Sequence, residues 1–115
     1  MQMQKKIVNG MEVLVGTGNV YADLGFPNAE EMQVKARLAY KITESIKAKG
    51  WTQQQAAEAT GMPQPKLSQM LRGQFHGISE AKLMECLTRL GYPVHIVVGK
   101  PTRKKSARSI EVVFA

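Results

Sequence analysis

The chain has one cysteine, Cys86, and therefore no internal disulfide to hold it together. That cysteine lies between Leu83 and Leu87 in a helical pattern, which predicts a buried and inert thiol. Long hydrophobic runs are missing as well. Nothing approaches the roughly 18 apolar residues that cross a bilayer, so no membrane span is expected. The opening stretch "MQMQKKIVNGMEVLVGTG" has its apolar part broken by Asn9, Gly10 and Glu12; it does not read as a signal peptide, and a cytoplasmic location is expected. The two histidines, His76 and His95, are far apart and lack Cys or carboxylate neighbours at ligand spacing, so no metal site is expected. A nucleophile–base pair, paired carboxylates and a phosphate-cradling glycine loop are all lacking. An enzyme therefore ranks last among the functions considered, and neither catalytic residues nor cofactors are expected.

Acidic residues are also scarce, 9 Asp and Glu against 16 Lys and Arg, for a net charge of +7 and a pI near 9.8. A basic surface attracts polyanions, which makes nucleic acid the leading partner; a solvated surface that happens to be basic is the plain alternative. The excess is uneven. Through Lys49 there are 7 basic and 5 acidic residues, and the remaining 66 residues carry 9 and 4. With 43% hydrophobic residues in a length of 115, one globular domain with tails is expected.

Helical signals dominate the middle of the chain. After a possible strand at residues 11–15, "GFPNAEEM" supplies a helix start, with Asn28 as N-cap and Glu31 as its capping-box partner. Ala36, Ala39, Ile42 and Ile46 then recur at helical spacing until Gly50. Thr52 and Gln55 repeat the capping-box logic for a short helix that stops at Gly61. A third helix begins near Pro63, since prolines suit a first turn, and places Leu67, Met70 and Leu71 inward until Gly73. Ser79 caps a fourth, whose Leu83, Met84, Leu87 and Leu90 form an apolar stripe closed by Gly91 and Pro93. Trp51 and Phe75 are expected at core edges. Beyond Pro93, "VHIVV" reads as a strand, "GKPTRKKSAR" as a basic loop and "SIEVVF" as a second strand. The expected organisation is a segment 1–27, a helical unit 28–93 and C-terminal strands with a basic loop at 94–115.

Six glutamines fall within residues 51–74, a high density of long amides around one tight turn. The spacing is that of a helix-turn-helix. Gln53 opens the first short helix, Ala57 is small at the crossing, Gly61 makes the turn, and Leu67 and Met70 anchor the second helix. This pattern resembles the Cro/CI-like (XRE) DNA-binding family. The predicted fold is mainly α, a helix-turn-helix bundle of four or more helices with short C-terminal β-strands. In that setting Gln64 and Gln69 occupy base-reading positions, where a glutamine amide makes a bidentate pair with adenine. Lys66, Ser68 and Arg72 are placed for phosphate or base contacts, and Gln53 for the DNA backbone. Pro65 departs from the family pattern by replacing a polar reader; it offers an apolar contact to a thymine methyl. For each of these residues the alternative is an ordinary solvated side chain. Arg103, Lys104, Lys105 and Arg108 form a solvated loop or a non-specific phosphate contact.

"NVYADLGFPNAEE", the motif itself and "YPVHIVV" together resemble the HigA-like antitoxin branch of that family. The resemblance implies a homodimer that binds a palindromic operator in duplex DNA, represses its own operon and neutralises a RelE/HigB-type ribonuclease toxin. A stand-alone XRE repressor without a toxin is the alternative. The segment "NGMEVLVGTGNVYADLGFP" combines apolar side chains with four glycines, too little for a core of its own and suited to docking on a partner. Val20, Tyr21, Leu24 and Phe26 are the expected toxin anchors, with Asp23, Glu30 and Glu31 meeting a basic toxin surface. The dimer is expected to form through the fourth helix and the strand at residues 94–98.

Overall fold

The computed structural model describes residues 3–8 and 11–16 as backbone, and residues 29–75, 77–107 and 109–115 in full. Its elements run β1 (Met3–Val8), β2 (Met11–Gly16), α1 (Ala29–Lys49), α2 (Gln53–Thr60), α3 (Gln64–Leu71), α4 (Glu80–Arg89), a 3-10 turn (Lys105–Ala107) and β3 (Val113–Phe114). The chain divides into two compact units, one of residues 1–34 with 100–115 and the other of Lys35–Gly99. Among the described residues no helix is long and apolar enough to cross a membrane.

Each helix begins and ends where local chemistry demands. Glu30 and Glu31 in the first turn of α1, and Lys47 and Lys49 in its last, complement the helix dipole. Asn28, its expected cap, lies outside the described residues. Thr52 caps α2 reciprocally: its hydroxyl accepts from the Gln55 N–H at 3.2 Å, and its own N–H donates to Gln55 Oε1 at 2.9 Å. Pro63 precedes α3 and Pro65 sits in its first turn, where missing N–H groups remove no helical bond. Ser79 caps α4, its Oγ accepting from the Lys82 N–H at 3.1 Å.

The core of the Lys35–Gly99 unit gathers one apolar stripe from each helix. Ile42, Leu67, Met70, Leu83 and Cys86 are fully enclosed, with Leu38, Ala39, Ile46, Phe75, Ile78 and Leu87 around them. Phe75 is buried as expected, and Trp51 is half-buried with Lys49 Nζ 5.1 Å from its ring centre. Ala36, Leu71, Met84 and Leu90 reach only partial burial. Thr60 is a polar group in this interior, and it is satisfied: its hydroxyl donates to the Ala56 carbonyl at 2.8 Å and accepts from the Met62 N–H at 3.3 Å. Lys35 is buried too and pairs with the Glu80 carboxylate at 3.6 Å, which ties α1 to the first turn of α4.

In the other unit β1, β2 and β3 form an antiparallel sheet in that order, with Val8 opposite Met11 and Leu14 opposite Phe114. The possible strand at residues 11–15 is β2, while β1 is additional. Two expectations fail here. Residues 94–98 form no strand, and the second C-terminal strand shrinks to Val113–Phe114. β propensity expresses how a side chain fits a pleated, paired surface, so a run without a partner stays irregular. β2 already has β1 and β3 on its two edges, and β3 reaches only Leu14 and Val15.

Candidate nucleic-acid interface

α2 packs against both α3 and α4, and the connection from α2 to α3 is short. Gly61 makes it possible. Its φ is +74°, the left-handed region that side-chain-bearing residues resist, and its N–H closes α2 on the Ala57 carbonyl at 2.9 Å. The small residue enclosed by the packing is Ala56, whereas Ala57, expected at the crossing, is partly exposed.

Leu67 and Met70 bury one side of α3, and what remains outside is a compact polar face. At about 100° per residue, Gln64, Pro65, Ser68, Gln69 and Arg72 fall within one arc of roughly 140°, opposite the buried pair. Gln64, Pro65, Gln69 and Arg72 are exposed and Ser68 is half-buried. This arc brings together all but two of the expected DNA-contacting residues. Lys66 is exposed but falls off it, toward the loop that follows α3; a β-carbon at Gly77 would lie 3.8 Å from its Nζ. Gln53 is exposed at the first position of α2, where unbonded helical N–H groups also favour an anion.

A cluster that the sequence reasoning missed holds the turn from behind. α4 presents Lys82, Glu85, Cys86 and Arg89 on one face, spaced three, one and three residues apart. Lys82 Nζ donates to the Gly61 carbonyl at 3.3 Å, and the Cys86 thiol donates to the Thr60 carbonyl at 3.7 Å. Glu85 pairs with Lys82 at 3.4 Å and with Arg89 at 3.4 Å. The Arg89 guanidinium lies over Gly61 so closely that a β-carbon there would be 2.9 Å from Cζ and Nη1. Two cations thus meet the carboxyl end of α2, where the helix dipole is negative. The i, i+3 and i, i+4 charge pattern on α4 was visible, but its target across the turn was not. Burial pushes the Cys86 thiol above its usual range, with Glu85 adding to the rise and Lys82 and Arg89 opposing it.

Of the other expected contacts, Arg103, Lys104 and Lys105 are exposed, and Glu30 and Glu31 are exposed at the head of α1; His95, for which no metal role was expected, is exposed too. Glu30 is engaged, its carboxylate accepting from the Ile110 N–H at 2.6 Å. Val20, Tyr21, Asp23, Leu24, Phe26, His76 and Arg108 lie outside the described residues. No group of three His, Cys, Asp or Glu side chains that could hold a metal ion occurs among the described residues.

A family model described as a helix-turn-helix domain matches residues 20–99. A solved structure described as an XRE family transcriptional regulator is 39% identical to this chain, with a TM-score of 0.70; the match covers 77% of this chain and 100% of that one. None of the curated proteins matches.

Proposed function

The chain belongs to the XRE helix-turn-helix family of DNA-binding transcriptional regulators, and we propose that it represses its own operon as a homodimer on a palindromic operator. One observation carries this reading: the exposed arc of Gln64, Pro65, Gln69 and Arg72 on a helix whose opposite side is locked in the core. A helix of this kind fits the major groove, and each copy reads one half-site. Gln64 and Gln69 pair with base edges, Pro65 touches a thymine methyl, and Lys66, Ser68, Arg72 and Gln53 hold phosphates or neighbouring bases.

The test is a titration of Gln64→Ala and Gln69→Ala against duplex from the protein's own promoter and against a scrambled duplex. Each loss of a bidentate pair costs about 1–3 kcal/mol on the cognate site and relaxes preference at that base. Equal affinity of the wild type for the two duplexes would sink the proposal.

The same chain is proposed to neutralise a RelE/HigB-type ribonuclease toxin. Support comes from the likeness of "NVYADLGFPNAEE" to HigA-like antitoxins and from the two exposed carboxylates, Glu30 and Glu31, at the head of α1. The anchors are Val20, Tyr21, Leu24 and Phe26, with Asp23 beside them. Co-expression with the product of the adjacent gene decides between this and a stand-alone repressor. Growth rescue by the full chain, and failure by a variant lacking residues 1–27 that still binds operator, supports the antitoxin. Rescue by the truncated form moves the toxin site elsewhere, and a harmless neighbour leaves the stand-alone repressor.

A further inference from the structure

The segment after α4 is chemically out of place on a free surface. Ile96 is 78% exposed, Val97 47% and Val98 91%, three consecutive β-branched residues facing water. Among the described residues, none of the backbone N–H or C=O groups from 93 to 101 has a hydrogen-bond partner. Apolar side chains beside unpaired backbone leave this irregular segment open to pairing with another chain.

We propose that residues 94–100 of two copies pair antiparallel, and that this ladder is the interface of the homodimer on which the operator reading rests. Charge selects a second copy as the occupant. The chain carries +7, so two copies repel; yet from residue 90 to residue 99 there is no charged side chain, and here they meet without opposing cations. Pro93 and Pro101 bracket the segment and lack the N–H that would extend a ladder, so pairing is confined to the residues between them. The midpoint between those prolines is Val97. A two-fold axis there opposes Val97 to itself and sets Ile96 against Val98 of the partner subunit, so all three exposed aliphatic residues face aliphatic residues.

The origin of the segment is fixed within its own unit. The Tyr92 N–H donates to the Leu87 carbonyl at 3.0 Å, and Lys41 Nζ lies 5.5 Å from the Tyr92 ring centre. Pairing therefore couples the α4 and α3 of one copy to those of the other, and sets the separation of the two reading helices.

The experiment is sedimentation of the full chain without DNA, for wild type, Val97→Asp and Val97→Cys. The wild type is expected to be a dimer at micromolar concentration. Val97→Asp places two carboxylates opposite one another, and dimer dissociation should rise by more than about tenfold while the circular dichroism stays that of the wild type. Val97→Cys should cross-link to itself under mild oxidation, since directly opposed strand residues have β-carbons within disulfide reach; Tyr40→Cys, on an exposed α1 position, should not. A wild-type monomer, or a dimer untouched by Val97→Asp with no cross-link through Val97→Cys, overturns the interface. So does a Val97→Asp variant that stays dimeric but no longer rescues growth, which would assign the segment to the toxin. A monomer that still discriminates a cognate half-site from a scrambled one overturns this interface and leaves the base-reading assignment standing.

Discussion

Gly61→Ala probes whether α4 holds the helix-turn-helix through its turn. Two costs are expected. At φ +74° an alanine meets the left-handed penalty of roughly 1–2 kcal/mol, less a few tenths recovered from the stiffer unfolded chain. The new β-carbon also lies 2.9 Å from the Arg89 guanidinium, inside any normal contact. That group is the end of a flexible chain and can move, but moving breaks its 3.4 Å pair with Glu85, an exposed contact contributing about 0–1 kcal/mol. Together the substitution should destabilise by roughly 1–3 kcal/mol, with the steric part absent when Arg89 is already alanine. Urea unfolding of the wild type, both single variants and the double variant gives the coupling, expected at about 0.5–1 kcal/mol in the direction that spares the double variant. Equal cost of Gly61→Ala in both backgrounds would refute the contact with Arg89. A neutral or stabilising Gly61→Ala would refute the backbone reasoning as well.

Other perturbations separate the cations by role. Lys66→Ala and Arg72→Ala should each lower the magnitude of the log K against log salt slope by about 0.9 for every phosphate no longer neutralised, whereas Lys82→Ala and Arg89→Ala, which act on the turn, should leave it unchanged. Leu67→Ala removes a fully enclosed anchor and should cost about 2–5 kcal/mol by chemical denaturation, with operator binding lost only as the protein unfolds. Because burial raises the Cys86 thiol, its contribution to stability is fully present below the ordinary thiol value and declines as pH rises from about 8.5 toward the folded value. Cys86→Ala should flatten that alkaline decline in a pH series of unfolding curves, and Ellman's reagent should label the native thiol slowly.

The four helices were legible because each carries its own boundaries. The Thr52–Gln55 box, the Pro63 start and the Ser79 cap act within four residues of the helix they begin, so a local pattern is enough. The arc of Gln64, Pro65, Ser68, Gln69 and Arg72 follows from helical spacing once Leu67 and Met70 are taken as buried. What escaped is non-local. Lys82 meets Gly61 across 21 positions, and no spacing on α4 alone announces that. Residues 94–98 have the composition of a strand, yet composition does not supply a ladder partner. The β1–β2 hairpin did have a local signal, Asn9-Gly10 between apolar residues, a pair that favours two-residue turns; a lone strand at 11–15 leaves it unused.

Charge imposes different physics on the two proposed partners, and this yields a last prediction. The chain is basic, with the larger excess in the 66 residues after Lys49 that contain α2, α3 and α4, and this field steers it to DNA. RelE-type toxins are themselves basic, so the same net charge opposes that encounter. On the proposed antitoxin reading, binding would draw its affinity from apolar contact at Val20, Tyr21, Leu24 and Phe26, with Asp23, Glu30 and Glu31 providing only local complementarity. Salt should therefore move the two affinities apart. Between 50 and 200 mM salt, operator affinity should fall by orders of magnitude if several phosphates are contacted, while toxin affinity should hold or rise as the repulsion is screened. Titration calorimetry of both complexes across that range provides the check. A toxin affinity falling as steeply as the operator's would mean that the acidic residues dominate the contact, and it would remove the apolar anchors from the proposal.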